Sequence, residues 1–298
     1  MNNNVPDNPV KGVLFALAAA LCLASMNMIA KLLSAHLGPI EITFYRNIIA
    51  LLLLVIGLIS LRQLSLLKTE RPWAHFFRSF IGNTGMVFCM WAVTLMPLTV
   101  FTVFLFTSPL FAALLSYPLL RERVGPYRIS AIIFGFIGVY IMIKHSDADA
   151  SMDLSILAII VGLTAGLFNG AVAILLRWLG STESTATTNF YFLFYGAIGT
   201  ALALPFVQSA SLPEMSIIPI IIAVGSVGLF SLLLKTQGFR LGPAALISPI
   251  SYTMIIWAVI FDYFIWDRVP PWPVFAGAGI IIASNLFILW REQRVKNS

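Results

Sequence analysis

One arginine, one aspartate and a set of amides stand inside long apolar stretches of this sequence. Arg46, in Phe44-Tyr45-Arg46-Asn47, lies about one turn into such a stretch. If these stretches cross a bilayer, a buried guanidinium is costly and needs a partner, a cavity or an escape route. Two readings stand: Arg46 snorkels to the outer headgroups, or it lines the external mouth of a central cavity and attracts a carboxylate or another anionic group. Asn27, Asn83, Asn169, Asn189 and Asn285 also sit in apolar context, where an unpaired amide costs free energy. They either bond across helices or line a wet cavity, and Asn27, Asn83, Asn169 and Asn189 are the cavity candidates among them. Trp91, Tyr195, Tyr252 and Trp257 are deep enough to stack on a planar substrate, or else they pack against lipid and core.

Two prolines add a mechanical possibility. Pro109, in Thr107-Ser108-Pro109, and Pro249, after Ser248, each remove a backbone donor within an apolar run and permit a bend. If these runs build a membrane carrier, Asp262 is the one candidate for coupling it to protons; because it falls toward the outer end of its run, facilitated diffusion or exchange fits as well. No HExxH, cysteine-rich metal spacing or nucleophile elbow is present. No pair of acids is placed to act as acid and base. The expectation is therefore a protein that is not an enzyme, with no metal and no cofactor.

The elements that carry these residues follow from composition. With 59% apolar and 10% charged residues, against about 25% charged in a soluble domain, the chain must meet an apolar solvent. The net charge of +6 is spread singly between apolar runs, so no basic patch for nucleic acid is expected. Cys22 and Cys89 lie within apolar runs and read as small buried hydrophobes.

About 20 apolar residues span the hydrocarbon as a helix, and ten such stretches are present: Val13 to Leu33, Ile42 to Leu61, Ser79 to Met96, Thr99 to Leu120, Tyr127 to Ile143, Leu154 to Leu176, Thr185 to Phe206, Ile217 to Leu234, Pro243 to Phe264 and Pro273 to Trp290. Residues 1–10, with Pro6 and Pro9, read as a polar lead-in. The fold class expected is an all-α polytopic membrane protein of ten transmembrane helices. With the N-terminus cytoplasmic, fourteen of the eighteen basic residues fall on the cytoplasmic side, Arg78, Lys235 and Arg240 among them. That bias follows the positive-inside rule and puts both termini in the cytoplasm. The acidic connection His145 to Asp153 then lies outside, with five crossings on each side. Halves with an odd number of crossings sit upside down relative to one another, the inverted arrangement common in secondary transporters.

A faint internal echo supports two halves: Arg123-Val124-Gly125-Pro126-Tyr127 against Arg268-Val269-Pro270-Pro271-Trp272, and Thr107-Ser108-Pro109 against Ser248-Pro249. Gly162, Gly166 and Gly170 recur every four residues and make a flat face for a close neighbour.

With Phe44-Tyr45-Arg46 opening the second helix, Thr107-Ser108-Pro109-Leu110-Phe111 in the fourth and Arg121-Glu122-Arg123-Val124-Gly125 before the fifth, the chain resembles the EamA-type members of the bacterial drug/metabolite transporter superfamily over residues 12 to 290. The resemblance implies a bacterial inner-membrane carrier of small metabolites in two inverted five-helix repeats, working by alternating access. It sets the organisation as a tail 1–11, repeats 12–149 and 150–290, and a tail 291–298. The family's Gly-Glu-Arg run is Arg121-Glu122-Arg123 here, with Trp266-Asp267-Arg268 in the second half.

Family members import S-adenosylmethionine or riboflavin, or export amino acids. The Phe-Tyr-Arg opening looks like that of the S-adenosylmethionine carriers, which makes uptake of that molecule the specific expectation. Abundant amides and hydroxyls with few internal charges suit a small amphipathic or zwitterionic substrate. The cavity is expected between the first, third, fourth, sixth, eighth and ninth helices. The partners expected are that substrate and the lipid bilayer, for a monomer or homodimer. The competing readings are an amino-acid exporter and a membrane scaffold that transports nothing.

Overall fold

The computed structural model describes residues 8–120, 126–144, 154–179, 184–207, 213–242 and 244–297. The connection His145 to Asp153 and the Arg121 to Gly125 run lie outside the described residues.

All regular structure among the described residues is helical. The helices are α1 (Pro9–Leu33), α2 (Pro39–Ser60), α3 (Pro72–Leu95), α4 (Leu98–Leu105), α5 (Ser108–Leu120), α6 (Pro126–Lys144), α7 (Ile156–Leu179), α8 (Thr185–Ala203), α9 (Ile218–Leu241), α10 (Ala244–Ile247), α11 (Met254–Trp266) and α12 (Trp272–Asn297). Among the described residues eight stretches are long and apolar enough to cross a bilayer, and the shorter Ile129–Lys144 adds a ninth apolar helix. The protein is a multi-pass helical membrane protein. In lipid, helices satisfy every backbone donor and acceptor within the segment.

Several helices start earlier than hydropathy suggests, and the reason is proline. Pro9, Pro39 and Pro72 occupy the first turns of α1, α2 and α3, where the missing N–H would be unbonded anyway. The lead-in expected over residues 1–10 thus ends at Asn8, whose side chain accepts the Lys11 N–H at 3.1 Å. The third helix begins at Pro72 and not near Ser79, which brings His75 and Arg78 inside it as buried residues. These polar groups lower its hydropathy. Similarly, α9 continues seven residues past Leu234 to Leu241, and α12 runs into the expected tail as far as Asn297.

Two of the expected spans are broken. The stretch from Thr99 to Leu120 is two helices, α4 and α5, separated at Phe106–Thr107. Between α10 and α11 the chain forms a 3-10 turn, Ser248–Thr253, that contains Pro249. In each case the proline cannot bond back to the preceding turn.

Helices pack in antiparallel pairs drawn from distant parts of the chain. α1 lies along α9, α3 along α7, α2 along α8 and α6 along α12. The Asn8 N–H donates to Leu241 O at 3.1 Å, and Ser231 Oγ donates to Ala19 O at 3.2 Å, so α1 and α9 run in opposite directions. Gly170 of α7 explains the close seat of α7 on α5: a Cβ there would stand 2.7 Å from Ser108 O and 2.9 Å from Ala112 N. The apolar core is continuous, with Phe101, Phe104, Met90, Leu33 and Ile42 fully buried.

Candidate functional site: a cavity between two broken helices

The helix breaks open onto a shared space. A cavity of about 260 Å³ is walled by the first half of α1, the last turns of α9, Asn169 of α7 and the two breaks. A second chamber of about 280 Å³ continues from it between α5, α7 and α12. Ser108, Pro109, Ser248 and Tyr252 line both. Volumes of this size, joined, suit a small-molecule site, for which roughly 300–1,000 Å³ is usual.

Side chains give this space a mixed character. The Tyr252 ring meets Phe106 edge-to-face at 4.9 Å, and Asn285 Nδ2 donates to Phe106 O at 2.8 Å. That bond satisfies a carbonyl at the break between α4 and α5, as neighbouring helices do for interrupted membrane helices. Asn169 uses its amide hydrogens on Ala165 O at 2.9 Å and Cys89 Sγ at 3.2 Å. Ser231 lines the wall beside Lys235, whose side chain is exposed to the cavity. No Asp or Glu is among the lining residues.

The expected residues divide between this cavity and several other places. Asn169, Tyr252, Pro109 and Pro249 line the chambers. Asn83 and Tyr195 line a separate crevice of about 240 Å³ between α3 and α8. Trp91 and Trp257 pack against the main apolar core. Asn27 and Asn189 are buried, at 4% and 5% exposed, and make no side-chain hydrogen bond among the described residues. The helices lining the cavity also differ from expectation: α12 contributes to the second chamber, whereas no residue of α3 lines either chamber.

Arg46 does not snorkel. It is 6% exposed; its Nη1 donates to Asn47 Oδ1 at 2.8 Å and its Nε to Met26 Sδ at 3.4 Å. Asn47 Nδ2 donates to Asn83 Oδ1 at 2.9 Å, and Asn83 Nδ2 to Ser79 O and Phe192 O, each at 2.9 Å. Four helices, α1, α2, α3 and α8, are thereby tied by one polar chain. Arg78, placed by hydropathy in a cytoplasmic loop, is buried beside it. The Phe192 ring lies between the two guanidiniums, 4.6 Å from that of Arg78 and 6.0 Å from that of Arg46. Cation–π contacts of this kind contribute roughly 0.5–2 kcal/mol.

Away from the cavity, a second set of buried contacts ties the helices together around Asp262 and Lys31. Asp262 is fully buried and accepts the Leu98 N–H at 3.0 Å, the Thr99 N–H at 2.8 Å and the Thr99 hydroxyl at 2.8 Å. It caps α4, whose first N–H groups have no partner within the helix. Lys31 donates to Met96 O at 2.5 Å and sits over the Trp266 ring at 5.2 Å. These contacts join α1, α11 and the turn between α3 and α4.

A multi-helix membrane protein with a largely apolar cavity that carries a few polar groups and is walled by broken helices has the form of a small-molecule transporter. The chain belongs to the EamA-like transporter family: the family model matches residues 10–144 and again residues 156–290. It is 27% identical to an S-adenosylmethionine uptake transporter of Rickettsia prowazekii, over 97% of this chain and 96% of that one. It is 26% identical to a riboflavin transporter of Vibrio cholerae, over 98% and 97% of the two chains. A crystal structure 17% identical in sequence superposes with a TM-score of 0.61 over 96% of both chains, which concerns the fold alone.

Lys235 and Arg78 are the functional candidates that hydropathy missed, whereas Asn285, singled out with the other amides, both lines the second chamber and bonds across helices. Lys235 ended an apolar run and read as a loop cation; the Gly242-Pro243 stop, several residues later, is the signal for where α9 ends.

Proposed function

We propose that the protein is a secondary carrier, independent of ATP, that takes up S-adenosylmethionine or a closely related zwitterionic metabolite by alternating access. The observation that carries this reading is the cavity into which both Ser-Pro breaks, Ser108-Pro109 and Ser248-Pro249, open. Discontinuous helices from two halves of a chain are where secondary transporters bind substrate. The uptake activity named for the Rickettsia relative supports the choice of substrate.

Ten crossings in two inverted repeats, 12–149 and 150–290, are part of the proposal. The pairing of α1 with α9 and α3 with α7 supports it, because one pair is the counterpart of the other when the halves exchange places. On this reading the chain lies in the bacterial inner membrane with the tails 1–11 and 291–298 in the cytoplasm, as a monomer or homodimer. The cavity then opens inward and the Lys31–Asp262 end is the closed outer gate. Asp262 would have to release Thr99 for that gate to open, which makes it the coupling candidate if protons drive the cycle. Pro109 and Pro249 would be the hinges.

Uptake of labelled S-adenosylmethionine, leucine and riboflavin into proteoliposomes tests the proposal. Accumulation of S-adenosylmethionine that the unlabelled compound chases is expected. Accumulation of leucine alone would move the assignment to an amino-acid carrier, and no accumulation of any of the three would leave the scaffold reading standing.

A further inference from the structure

The cavity holds one cation and, among its lining residues, no anion. Lys235 stands about 9 Å before the end of α9 at 1.5 Å per residue, and its side chain faces the cavity with Ser231 and Phe239 of the same helix. The wall beyond it is α1, where Ala16, Ala19 and Ala20 present nothing larger than a methyl group. Among the described residues no carboxylate pairs with its ammonium.

An ammonium held in a mostly apolar chamber repels simple cations and concentrates anionic groups. For S-adenosylmethionine, a molecule with a sulfonium, an ammonium and one carboxylate, that field is unfavourable overall unless the carboxylate reaches the lysine. Other lining residues of the same cavity offer the complement: the Tyr252–Phe106 aromatic pair for a flat ring or a sulfonium.

We infer that Lys235 receives the substrate's carboxylate, so that the cavity selects molecules carrying a carboxylate at one end and a ring or cationic centre at the other. The inference rests on the proposed function and adds the residue that sets substrate class. Lys235 is a positioning and specificity residue; no bond is made or broken at it.

Ligand pairs that differ only in the carboxylate test it. Thermal stabilisation of the purified full chain is measured with S-adenosylmethionine against decarboxylated S-adenosylmethionine, and with leucine against isopentylamine, for wild type, Lys235→Gln and Lys235→Arg. In wild type the carboxylate member of at least one pair is expected to bind about tenfold or more tighter. Lys235→Arg keeps that preference, and Lys235→Gln removes it while leaving binding of the amine unchanged or improved. Equal binding within each pair in wild type, no binding of either member, or an unchanged ratio in Lys235→Gln overturns the inference. If Lys235→Gln does not fold, Lys235→Met supplies the same ratio, and wild-type discrimination alone still decides against the idea if it is missing. Uptake measured in parallel separates the two claims. Discrimination without S-adenosylmethionine uptake removes the assigned substrate and keeps Lys235, whereas uptake without discrimination does the reverse.

Discussion

Asp262 accepts both the backbone N–H and the hydroxyl of Thr99, each at 2.8 Å. The two residues lie 163 positions apart, so the bond fastens the start of α4 to α11. A carboxylate used in this way holds two distant segments together.

Replacing Asp262 by Ala removes the acceptor for three donors while leaving them buried. Hydrogen bonds to a charged group contribute roughly 1.5–3 kcal/mol, so the melting temperature in detergent should fall clearly, and Thr99→Val should fall less because one backbone bond to each oxygen remains. Cysteines placed beside Thr99, which is fully buried, should become reactive in Asp262→Ala. A melting temperature equal to wild type, with no gain in reactivity, is the result against this role.

The chain from Arg46 through Asn47 to Asn83 predicts strong coupling between the two amides. Asn47→Ala and Asn83→Ala each leave a buried partner unsatisfied, and a double-mutant cycle should show about 0.5–3 kcal/mol of interaction. Additive losses in melting experiments would mean that the two side chains act separately.

How far the sequence foretold these arrangements depends on the residue. The class of protein and most helix positions follow from hydropathy because lipid demands long apolar runs and tolerates few exceptions. Helix ends were less legible. Lys235 and Arg78 interrupt hydropathy, yet both lie on helices that continue past them, and the punctuation that marks the ends is Pro72 and Gly242-Pro243. The breaks near Pro109 and Pro249 are visible in composition, but that both open on one space is a property of packing. Burial of Arg46 was equally hidden, since its depth along α2 permits an outward reach and only the placement of Asn47, Asn83 and Phe192 draws it inward.

Gly170 sits against the backbone of α5, so Gly170→Leu forces α7 away from Ser108 and Ala112. Overpacking costs roughly 1–3 kcal/mol or more, and reduced yield of folded protein by size-exclusion chromatography is expected. Gly199→Ala is the control, because nothing stands within 4 Å of the added carbon. Equal behaviour of the two variants would contradict the close seat of α7.

Pro109→Ala and Pro249→Ala restore the missing backbone donors and should straighten the broken helices. If the breaks are hinges, maximal transport falls about tenfold, near 1.4 kcal/mol on the barrier, while ligand binding by thermal shift stays within about twofold. Loss of binding with an unchanged maximal rate would assign the prolines to cavity shape.

The hydrogen bond from Asn8 to Leu241 O joins one end of the chain to a point more than two hundred residues later. During synthesis, at roughly 5–20 residues per second, α1 therefore waits on the order of ten to fifty seconds before its partner exists. For that interval its inner face, with Gly12, Ala16 and Ala19, must be sheltered by lipid or by the insertion machinery. Assembly of this membrane protein is thus a late event in its biogenesis, completed only when α9 arrives.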